Sequence, residues 1–240
     1  MRPISASGGC YEIDRGTAKS RESAAPKARR QTVRVKWPFG GGDRPRVDRV
    51  VVGLGNPGDG YASTRHNVGF QVASRLAKRA HLEFGTKAAE SRIAEGTLGG
   101  VRVAIARPHT FMNKSGQAVG KLLDRYGLEP KDVIVVYDDV DLPLGRIRIR
   151  TKGGPGTHNG MRSVVGEIGE SFARVRCGVA PVNANAEMPR DLAEYVLLPF
   201  EADERDIADA MIARAAEAIE VAIRDGLEPA MARWNAEEAK

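Results

Sequence analysis

The side chains of this chain that could perform chemistry are histidines, aspartates and asparagines in segments that follow predicted strands. A histidine can act as a general base, an aspartate can hold the histidine tautomer and stabilise the imidazolium, and asparagine amides can donate to a developing oxyanion. If the strands are parallel neighbours, these segments meet at one sheet edge, and the set then suits water-mediated hydrolysis. The residues are Asn56, His66, Asn113, Asp138, Asp139, His158 and Asn159.

Two other hydrolytic mechanisms are disfavoured by the sequence. A serine acyl-enzyme is expected to carry a G-x-S-x-G motif, which is absent, and Ser115 lacks that context. A metal-dependent hydrolase is expected to space histidines as H-x-x-x-H or H-E-x-x-H. We expect no metal site, because neither spacing occurs among the histidines, which are His66, His81, His109 and His158.

The glycine-rich segment VVVGLGNPGDGYASTRHNVGF, residues 50–70, has a competing interpretation. Gly53, Gly55 and Gly58 have the spacing of the dinucleotide-binding motif G-x-G-x-x-G. In that motif a helix begins at the third glycine and directs its N-terminus at the pyrophosphate, whereas here the chain continues to Asn67 before a helical pattern begins. We therefore expect no nucleotide cofactor. A structural turn with an incidental histidine remains an open alternative at this point.

The elements that must position these side chains follow from hydrophobic periodicity. Short β-branched runs predict buried strands at residues 50–52 and 133–137. Apolar residues four apart predict an amphipathic helix over residues 67–81. Further strands are predicted at 91–98, 101–107 and 173–180, and further helices at 115–126, 161–168 and 202–225. Alternating strands and helices over about 190 residues predict a single α/β domain spanning residues 48–240.

Residues 146–150, RIRIR, alternate arginine with isoleucine. This period of two predicts a strand with Ile147 and Ile149 inward and three arginines on a common outer face. A solvated strand face is the simpler interpretation. The next stretch, TKGGPGTHNG, is a glycine-rich loop that could instead shape a cleft beside those charges.

Positive charge is concentrated at the N-terminus. Residues 1–48 carry a net charge of +6, which is that of the whole chain, so the other 192 residues are neutral. The segment lacks apolar periodicity, and we expect residues 1–47 to be a disordered basic extension. It could be an RNA-binding arm, a targeting peptide or the product of an upstream start codon. We favour a dispensable extension and rank the RNA-binding arm second.

The lengths of the apolar runs and the number of cysteines indicate the cellular compartment of the protein. No apolar run approaches ~18 residues, so no membrane-spanning segment is expected. Two cysteines, Cys10 and Cys177, are too few for a disulfide framework or a zinc site. We therefore expect a cytoplasmic protein.

Four motifs occur in order and together resemble bacterial peptidyl-tRNA hydrolases. They are VGLGNPG-x-x-Y-x-x-TRHNVGF, PHTFMNKSG, YDDVDLPLGRIR and GTHNG. The resemblance covers residues 49–235. It implies a single α/β globule around a twisted mixed sheet flanked by helices, a monomer that uses no cofactor, and hydrolysis of the ester that joins a peptide to the 3′ ribose of tRNA.

The resemblance also implies roles for individual residues. In that family the histidine that matches His66 activates water. The aspartate that matches Asp138 orients and polarises the histidine or water. The asparagine that matches Asn56 positions the substrate carbonyl and stabilises the oxyanion. The implied substrate-binding residues are Tyr61, Phe111, Asn113 and Asn159.

A clamp for the tRNA 5′ phosphate is implied at Arg150 and Arg176, with Arg148 as an auxiliary residue. Guanidinium groups suit this task because they make charge-assisted hydrogen bonds to phosphate oxygens. The alternative is an RNA-binding relative that keeps the fold without hydrolysis. All of the implied catalytic residues are present, which favours the enzyme.

Overall fold

A mixed sheet of seven strands forms the centre of the described protein. The computed structural model describes residues 46–182 and 190–236, which lie within one compact unit of residues 43–240. The strands are β1 (Arg49–Gly53), β2 (Thr86–Ala88), β3 (Ser91–Leu98), β4 (Val101–Pro108), β5 (Val133–Pro143), β6 (Ile147–Arg150) and β7 (Ala173–Ala180). Their order is β2-β3-β4-β1-β5-β7-β6. β4, β1, β5 and β7 run parallel, whereas β2, β3 and β6 pair antiparallel with their neighbours.

Helices cover both faces of this sheet. They are α1 (Val68–Arg79), α2 (Ser115–Tyr126), α3 (Asn159–Ile168), α4 (Leu192–Val196), α5 (Arg205–Arg224) and α6 (Leu227–Asn235). Alternate residues of the central strand face opposite layers: Val51 packs with α1, α5 and α6, and Val50 and Val52 pack with α2 and α3. The predicted fold class, a single α/β domain with a mixed sheet flanked by helices, is confirmed.

Two glycines bring helix α1 into backbone contact with the central strands. A Cβ at Gly53 would lie 2.1 Å from the carbonyl oxygen of Gly69, and one at Gly69 would lie 2.4 Å from that of Val136. Neither position has room for a side chain. This close approach fixes the start of α1, and the residues just before it, against the C-terminal end of β1 and the Val136 segment of β5.

The predicted position of the acidic pair was wrong in one respect. We expected Asp138 and Asp139 on a loop after a strand at residues 133–137, but β5 continues to Pro143 and both aspartates are strand residues. The strand continues because β7 pairs with it through Asp139 and again at Pro143, beyond an irregularity in register. Pairing with a neighbouring strand has no signature in the local sequence.

The arginine strand is an edge strand that runs antiparallel to β7. Ile147 and Ile149 are buried as predicted. Because β6 runs against the parallel strands, His158 does not follow a strand end at the same edge as the other candidates. The glycine-rich loop instead carries the chain back to the site, where His158 caps α3.

Several elements were not predicted. They are β2, α4 and α6, each of nine residues or fewer. The predicted helices and strands are otherwise present, and apart from the end of β5 their ends differ from the predicted ones by at most three residues. None of the helices in the described residues has the length and hydrophobicity needed to cross a lipid bilayer.

The predicted N-terminal extension, residues 1–47, lies outside the described residues except for its last two. Val47 is only 7% exposed and packs into the core with α2 and α3. The folded part therefore begins at least one residue before the predicted boundary at residue 48.

Candidate active site

His66 and Asp138 form a hydrogen-bonded pair where the turn before α1 meets the middle of β5. His66 lies in a 3-10 turn, Arg65–Asn67, directly before α1, and Asp138 lies on β5. Nδ1 of His66 is 3.0 Å and 2.9 Å from the two carboxylate oxygens of Asp138. Because the carboxylate accepts, the proton of the neutral ring lies on Nδ1. Nε2 then has a free lone pair, as a general base requires.

His158 contacts the same carboxylate from the other side. Its Nε2 lies 2.9 Å from Oδ1 of Asp138, and its Nδ1 accepts the backbone N–H of Met161 at 3.1 Å. The acceptor role of Nδ1 places the ring proton on Nε2, which donates to Asp138. The sequence indicated His158 only as a candidate in a loop. Its pairing with Asp138 could not be predicted, because it depends on the return of the glycine-rich loop.

The ionisation of Asp138 follows from these contacts. Complete burial would by itself raise the pKa of the carboxyl group, but His158 and His66 outweigh burial and hold that pKa well below its ordinary value. The carboxylate is therefore charged at neutral pH. Tyr137, whose ring packs edge-on against His158, has its pKa raised to about 12 by burial and by Asp139.

Asn56 is held rigidly beside this pair. Its backbone N–H donates to Oδ1 of Asn67 at 2.8 Å, and its carbonyl accepts from Nδ2 of Asn67 at 2.9 Å. Its side-chain Oδ1 accepts the backbone N–H of Met112 at 2.8 Å. With the oxygen engaged in this way, the amide group Nδ2 is the donor that Asn56 offers to the cleft it lines.

A cleft of about 1020 Å³ opens over His66, Asp138 and His158. Phe111, Asn113 and Asn159 all line it, and Phe111 is 59% exposed. Further lining residues come from α4 and the residue after it. These residues are Leu192, Ala193, Val196 and Leu197, none of which the sequence indicated.

Tyr61 is not among the residues that line this cleft, contrary to expectation. It ends a 3-10 turn, Asp59–Tyr61, and its carbonyl accepts from the backbone N–H and the hydroxyl of Thr64. Tyr61 thus shapes the turn that leads to His66.

Four arginines lie side by side on the strands at one side of the cleft. Arg148 on β6 is directly opposite Arg176 on β7, and Arg150 is directly opposite Arg174. Arg150, Arg174 and Arg176 line the cleft, whereas Arg148 is not among its lining residues. The pKa of Arg148 is lowered by partial burial and by the positive charges of Arg150 and Arg176. Nε of Arg176 donates to Asp139 at 2.5 Å.

Further basic residues on the cleft wall were missed at the sequence level. Arg174 is buried, stacks over Phe172 at 4.3 Å and donates to the carbonyls of Gly154 and Glu170. Lys114, Lys152 and Arg162 also line the cleft. Lys114, Lys152 and Arg162 lie within or shortly after PHTFMNKSG and TKGGPGTHNG, and this proximity was the sequence signal that could have identified them.

One group in the described residues has the composition of a metal site. A ligand atom from each of His66, Asp138 and His158 lies within 4.8 Å of the other two. The atoms concerned are already joined by hydrogen bonds of 2.9 to 3.0 Å. These hydrogen bonds account for the placement of the three side chains.

Comparison with known proteins identifies the family. A family model described as peptidyl-tRNA hydrolase matches residues 50–240. The chain belongs to the peptidyl-tRNA hydrolase family. A peptidyl-tRNA hydrolase of Roseiflexus sp. is 49% identical over 190 residues, which are 78% of this chain and 85% of that protein. One of Chloroflexus aggregans is 46% identical over 188 residues, 78% of this chain and 98% of that protein.

Solved structures agree with this assignment. The crystal structure of peptidyl-tRNA hydrolase from Acinetobacter baumannii superposes with a TM-score of 0.72 at 31% identity, and covers 82% of this chain and 98% of that one. These relatives are named as hydrolases. The comparisons therefore favour the enzyme, and nothing in them favours the non-catalytic RNA-binding alternative.

Proposed function

We propose that this chain hydrolyses the ester between the C-terminal carboxyl group of a peptide, or of an N-blocked amino acid, and the 3′ ribose of tRNA. The observation that carries the proposal is the constellation of Asn56, His66 and Asp138 at the floor of an open cleft. It provides a base, a group that orients the base and an oxyanion donor within one rigid unit, as ester hydrolysis by water requires.

His66 is the proposed general base. Nε2 takes a proton from a water molecule as the water oxygen attacks the ester carbonyl carbon. The proton later passes to the departing 3′ oxygen, so that free peptide and tRNA result. Asp138 keeps the other ring proton on Nδ1 and stabilises the imidazolium, because its own low pKa keeps it charged.

Asn56 is the proposed oxyanion donor. The attack moves negative charge onto the carbonyl oxygen, and Nδ2 of Asn56 would donate to it. The hydrogen bond from Met112 to Oδ1 prevents the amide from rotating, so the donor is preorganised. Preorganised donors of this kind are worth about 10²–10³ in rate.

The peptide is proposed to lie along Phe111, Asn113 and Asn159. All three are exposed residues on the cleft lining, and they combine an apolar ring with two amides that can pair with a peptide main chain. Asn113 belongs to the 3-10 turn Met112–Lys114, which also supplies the N–H that holds Asn56. Peptide binding and the oxyanion donor are thus supported by the same turn.

The arginines beside the cleft are proposed to hold the 5′ phosphate of tRNA. Cations that lie directly opposite one another on adjacent strands repel, and Arg148 opposite Arg176 is such a pair. A bound phosphate would relieve that repulsion. Arg150 and Arg176 would make the main contacts, with Arg148 as auxiliary.

We further propose that the enzyme acts as a cytoplasmic monomer without a cofactor. Support for a reducing compartment comes from the composition, since the described cysteine, Cys177, is a buried free thiol. Residues 1–45 are proposed to be dispensable for turnover. A truncated protein that starts at Arg46 keeps Val47 in the core, and it should match the full chain in activity.

Release of peptide from an N-acylated aminoacyl-tRNA is the direct test. We expect the purified protein to cleave this substrate, to spare free aminoacyl-tRNA, and to lose nearly all turnover in His66→Ala. His81→Ala is the control, because His81 lies outside the cleft. Binding of tRNA by the wild-type protein without cleavage would contradict the proposal.

A further inference from the structure

A second group of positive charges lies on the sheet, apart from the arginines of the cleft. Lys87 on β2 is directly opposite Arg92 on β3, and Arg92 is directly opposite Arg107 on β4. Because residues paired in this way share a face, the three cations stand side by side across three adjacent strands. We refer to Lys87, Arg92 and Arg107 as the basic row.

No residue of the basic row forms an ion pair with an acidic residue in the part of the chain that the structure describes. Lys87 is exposed and Arg92 is half-buried, and neither forms an ion pair or side-chain hydrogen bond with any residue that the structure describes. Arg107 donates to the hydroxyl of Ser74 at 3.0 Å and stacks over Phe84 at 4.1 Å. Like charges directly opposite on neighbouring strands are destabilising, so this arrangement lowers stability unless an anion binds.

Protection of the sheet edge explains only part of the row. Lysines on edge strands discourage pairing with other chains, and Lys87 lies on β2, the edge strand. Arg92 and Arg107 lie on the inner strands β3 and β4, where no such protection is needed. Two of the three cations therefore require another reason.

The positive charges of the basic row change the pKa of His109, the residue directly after β4. Partial burial lowers the pKa of His109, and Arg92, Arg107 and Lys87 lower it further. The charged groups that shift this histidine are all cationic. The region is thus a local positive field in a folded domain whose net charge is zero.

The basic row adjoins the catalytic cleft. Arg107 is the penultimate residue of β4, and Phe111, only four residues later, lines the cleft. Their Cα atoms are therefore at most about 14 Å apart. Arg107 also lies 6.0 Å from the ring of Phe70, which packs on Gly55, the residue before Asn56. A molecule as large as tRNA can reach both places at once.

We propose that the basic row binds the phosphate backbone of the tRNA substrate, as a contact separate from Arg148, Arg150 and Arg176. The inference rests on the proposed function for the choice of RNA as the polyanion. The neutral domain must bind RNA through local patches, and guanidinium and ammonium groups without carboxylate partners are suited to phosphate oxygens. Of the three, Arg92 and Lys87 would make the direct contacts, while Arg107 is held by Phe84 and Ser74.

Binding of tRNA by two double variants tests the proposal. Lys87→Gln with Arg92→Gln removes two charges from the row. Lys78→Gln with Lys131→Gln removes two charges from exposed positions elsewhere, at the end of α1 and before β5. Both are made in a His66→Ala background, so that an N-acylated aminoacyl-tRNA is not consumed. Circular dichroism and thermal unfolding confirm that each variant is folded.

The row variant is expected to bind tRNA roughly tenfold more weakly near physiological salt, and the slope of log Kd against log salt should fall by about two. The control variant should keep the affinity and slope of its parent. With His66 restored, the row variant should show a raised KM and an unchanged kcat on the full substrate. A short 3′-end mimic should be cleaved normally, because it does not reach the row.

The pKa of His109 reports on phosphate binding at the basic row itself, independently of the net charge of the protein. In the His66→Ala protein, the pKa of His109 followed by NMR should rise when tRNA binds, because phosphate offsets the three cations. In the row variant, binding should no longer change it.

Two results would overturn the proposal. One is equal tRNA affinity and salt slope for the row and control variants. The other is a loss of binding to phosphatidylglycerol vesicles, but not to tRNA, in the row variant. Failure of the proposed function and failure of the basic-row proposal can be told apart. If the wild-type protein binds tRNA without cleaving it, the tRNA affinities of the row and control variants still test the row. A wild-type protein that cleaves the substrate, together with a row variant of unchanged tRNA affinity and unchanged KM, refutes the row alone.

Discussion

Nε2 of His158 donates to Oδ1 of Asp138 across 2.9 Å. The same carboxylate also accepts the Nδ1 proton of His66, at 2.9 Å from Oδ2. Asp138 therefore serves two donors, and its charged form satisfies both. His158 fixes the orientation of the carboxylate, and the carboxylate fixes the tautomer of His66. Both links must hold for Nε2 of His66 to face the cleft as a base.

Replacement of Asp138 by Asn is expected to reduce kcat by about 10³–10⁴ without unfolding the protein. The amide carries no charge to stabilise the imidazolium of His66, and it places an NH₂ group where one of the carboxylate oxygens accepts, which favours the wrong tautomer of His66. Steady-state kinetics on N-acylated aminoacyl-tRNA provide the measurement, with Asp209→Asn on the exposed side of α5 as a matched charge control. Retention of more than a tenth of the wild-type kcat would contradict the assigned role.

Acid should destabilise the folded protein partly through Asp138. The pKa of this carboxyl group is lowered on folding, whereas in the unfolded chain it is near ~3.9. The unfolded state therefore binds the proton more readily, and the associated stability is present above that pH and is lost as pH falls through about 4 and below. The free energy of unfolding, measured with urea between about pH 6 and 3, should fall less steeply in Asp138→Asn. Parallel curves for the two proteins would refute this assignment.

Asn56→Asp tests the oxyanion donor. The replacement keeps an oxygen for the N–H of Met112 but removes the amide donor and adds negative charge where the transition state also develops it. We expect kcat to fall by at least about 10²–10³ with a small change in KM. A change confined to KM would show that Asn56 binds the ground state only.

Arg150→Gln should weaken recognition of the 5′ phosphate. Arg150 is a better test residue than Arg176, because Arg176 also pairs with Asp139 and its loss would leave that carboxylate without its partner. We expect kcat/KM to fall about tenfold or more for tRNA with a 5′ phosphate. The same tRNA with a 5′ hydroxyl is the control substrate, and an equal loss on both would exclude the clamp.

Arg65 should be important for stability although it takes no part in the chemistry. Its side chain is 3% exposed, donates to Glu204 and to the carbonyl of Pro199 at 2.5 Å each, and lies over the ring of Tyr195 at 4.4 Å. Arg65→Met should cost about 3 kcal/mol, because it leaves Glu204 without its buried partner. Urea unfolding of this variant and of Arg65→Met with Glu204→Gln measures that term, and the double variant should recover part of the loss.

The strands and helices with strong periodicity could be predicted from sequence, and the catalytic candidates could be named from motifs. Val133 to Val136 read as a buried strand and are one. The end of β5 could not be predicted, because Asp138 to Pro143 have polar or turn-forming residues and are held in the strand by β7. Short helices such as α4 are stabilised by contacts, not by periodicity.

The geometry of the site was the least predictable part. The role of His158 depends on a loop that returns from an antiparallel edge strand, and the pairing of Arg176 with Asp139 depends on strand register. Tyr61 belongs to the turn before Thr64, whose hydroxyl donates to the Tyr61 carbonyl. Each of these is a long-range or turn-specific relation that residue types do not encode.

The contact between Gly53 and Gly69 has a consequence for how this protein tolerates change. His66 is placed by main chain resting on main chain, with no side chain in between. We therefore expect that exchange of the surrounding apolar residues for others of similar volume leaves His66 in place. The position of His66 is thus expected to depend little on which apolar residues form the core. It depends strongly on Gly53 and Gly69, where even a single added carbon atom would displace the helix that follows His66.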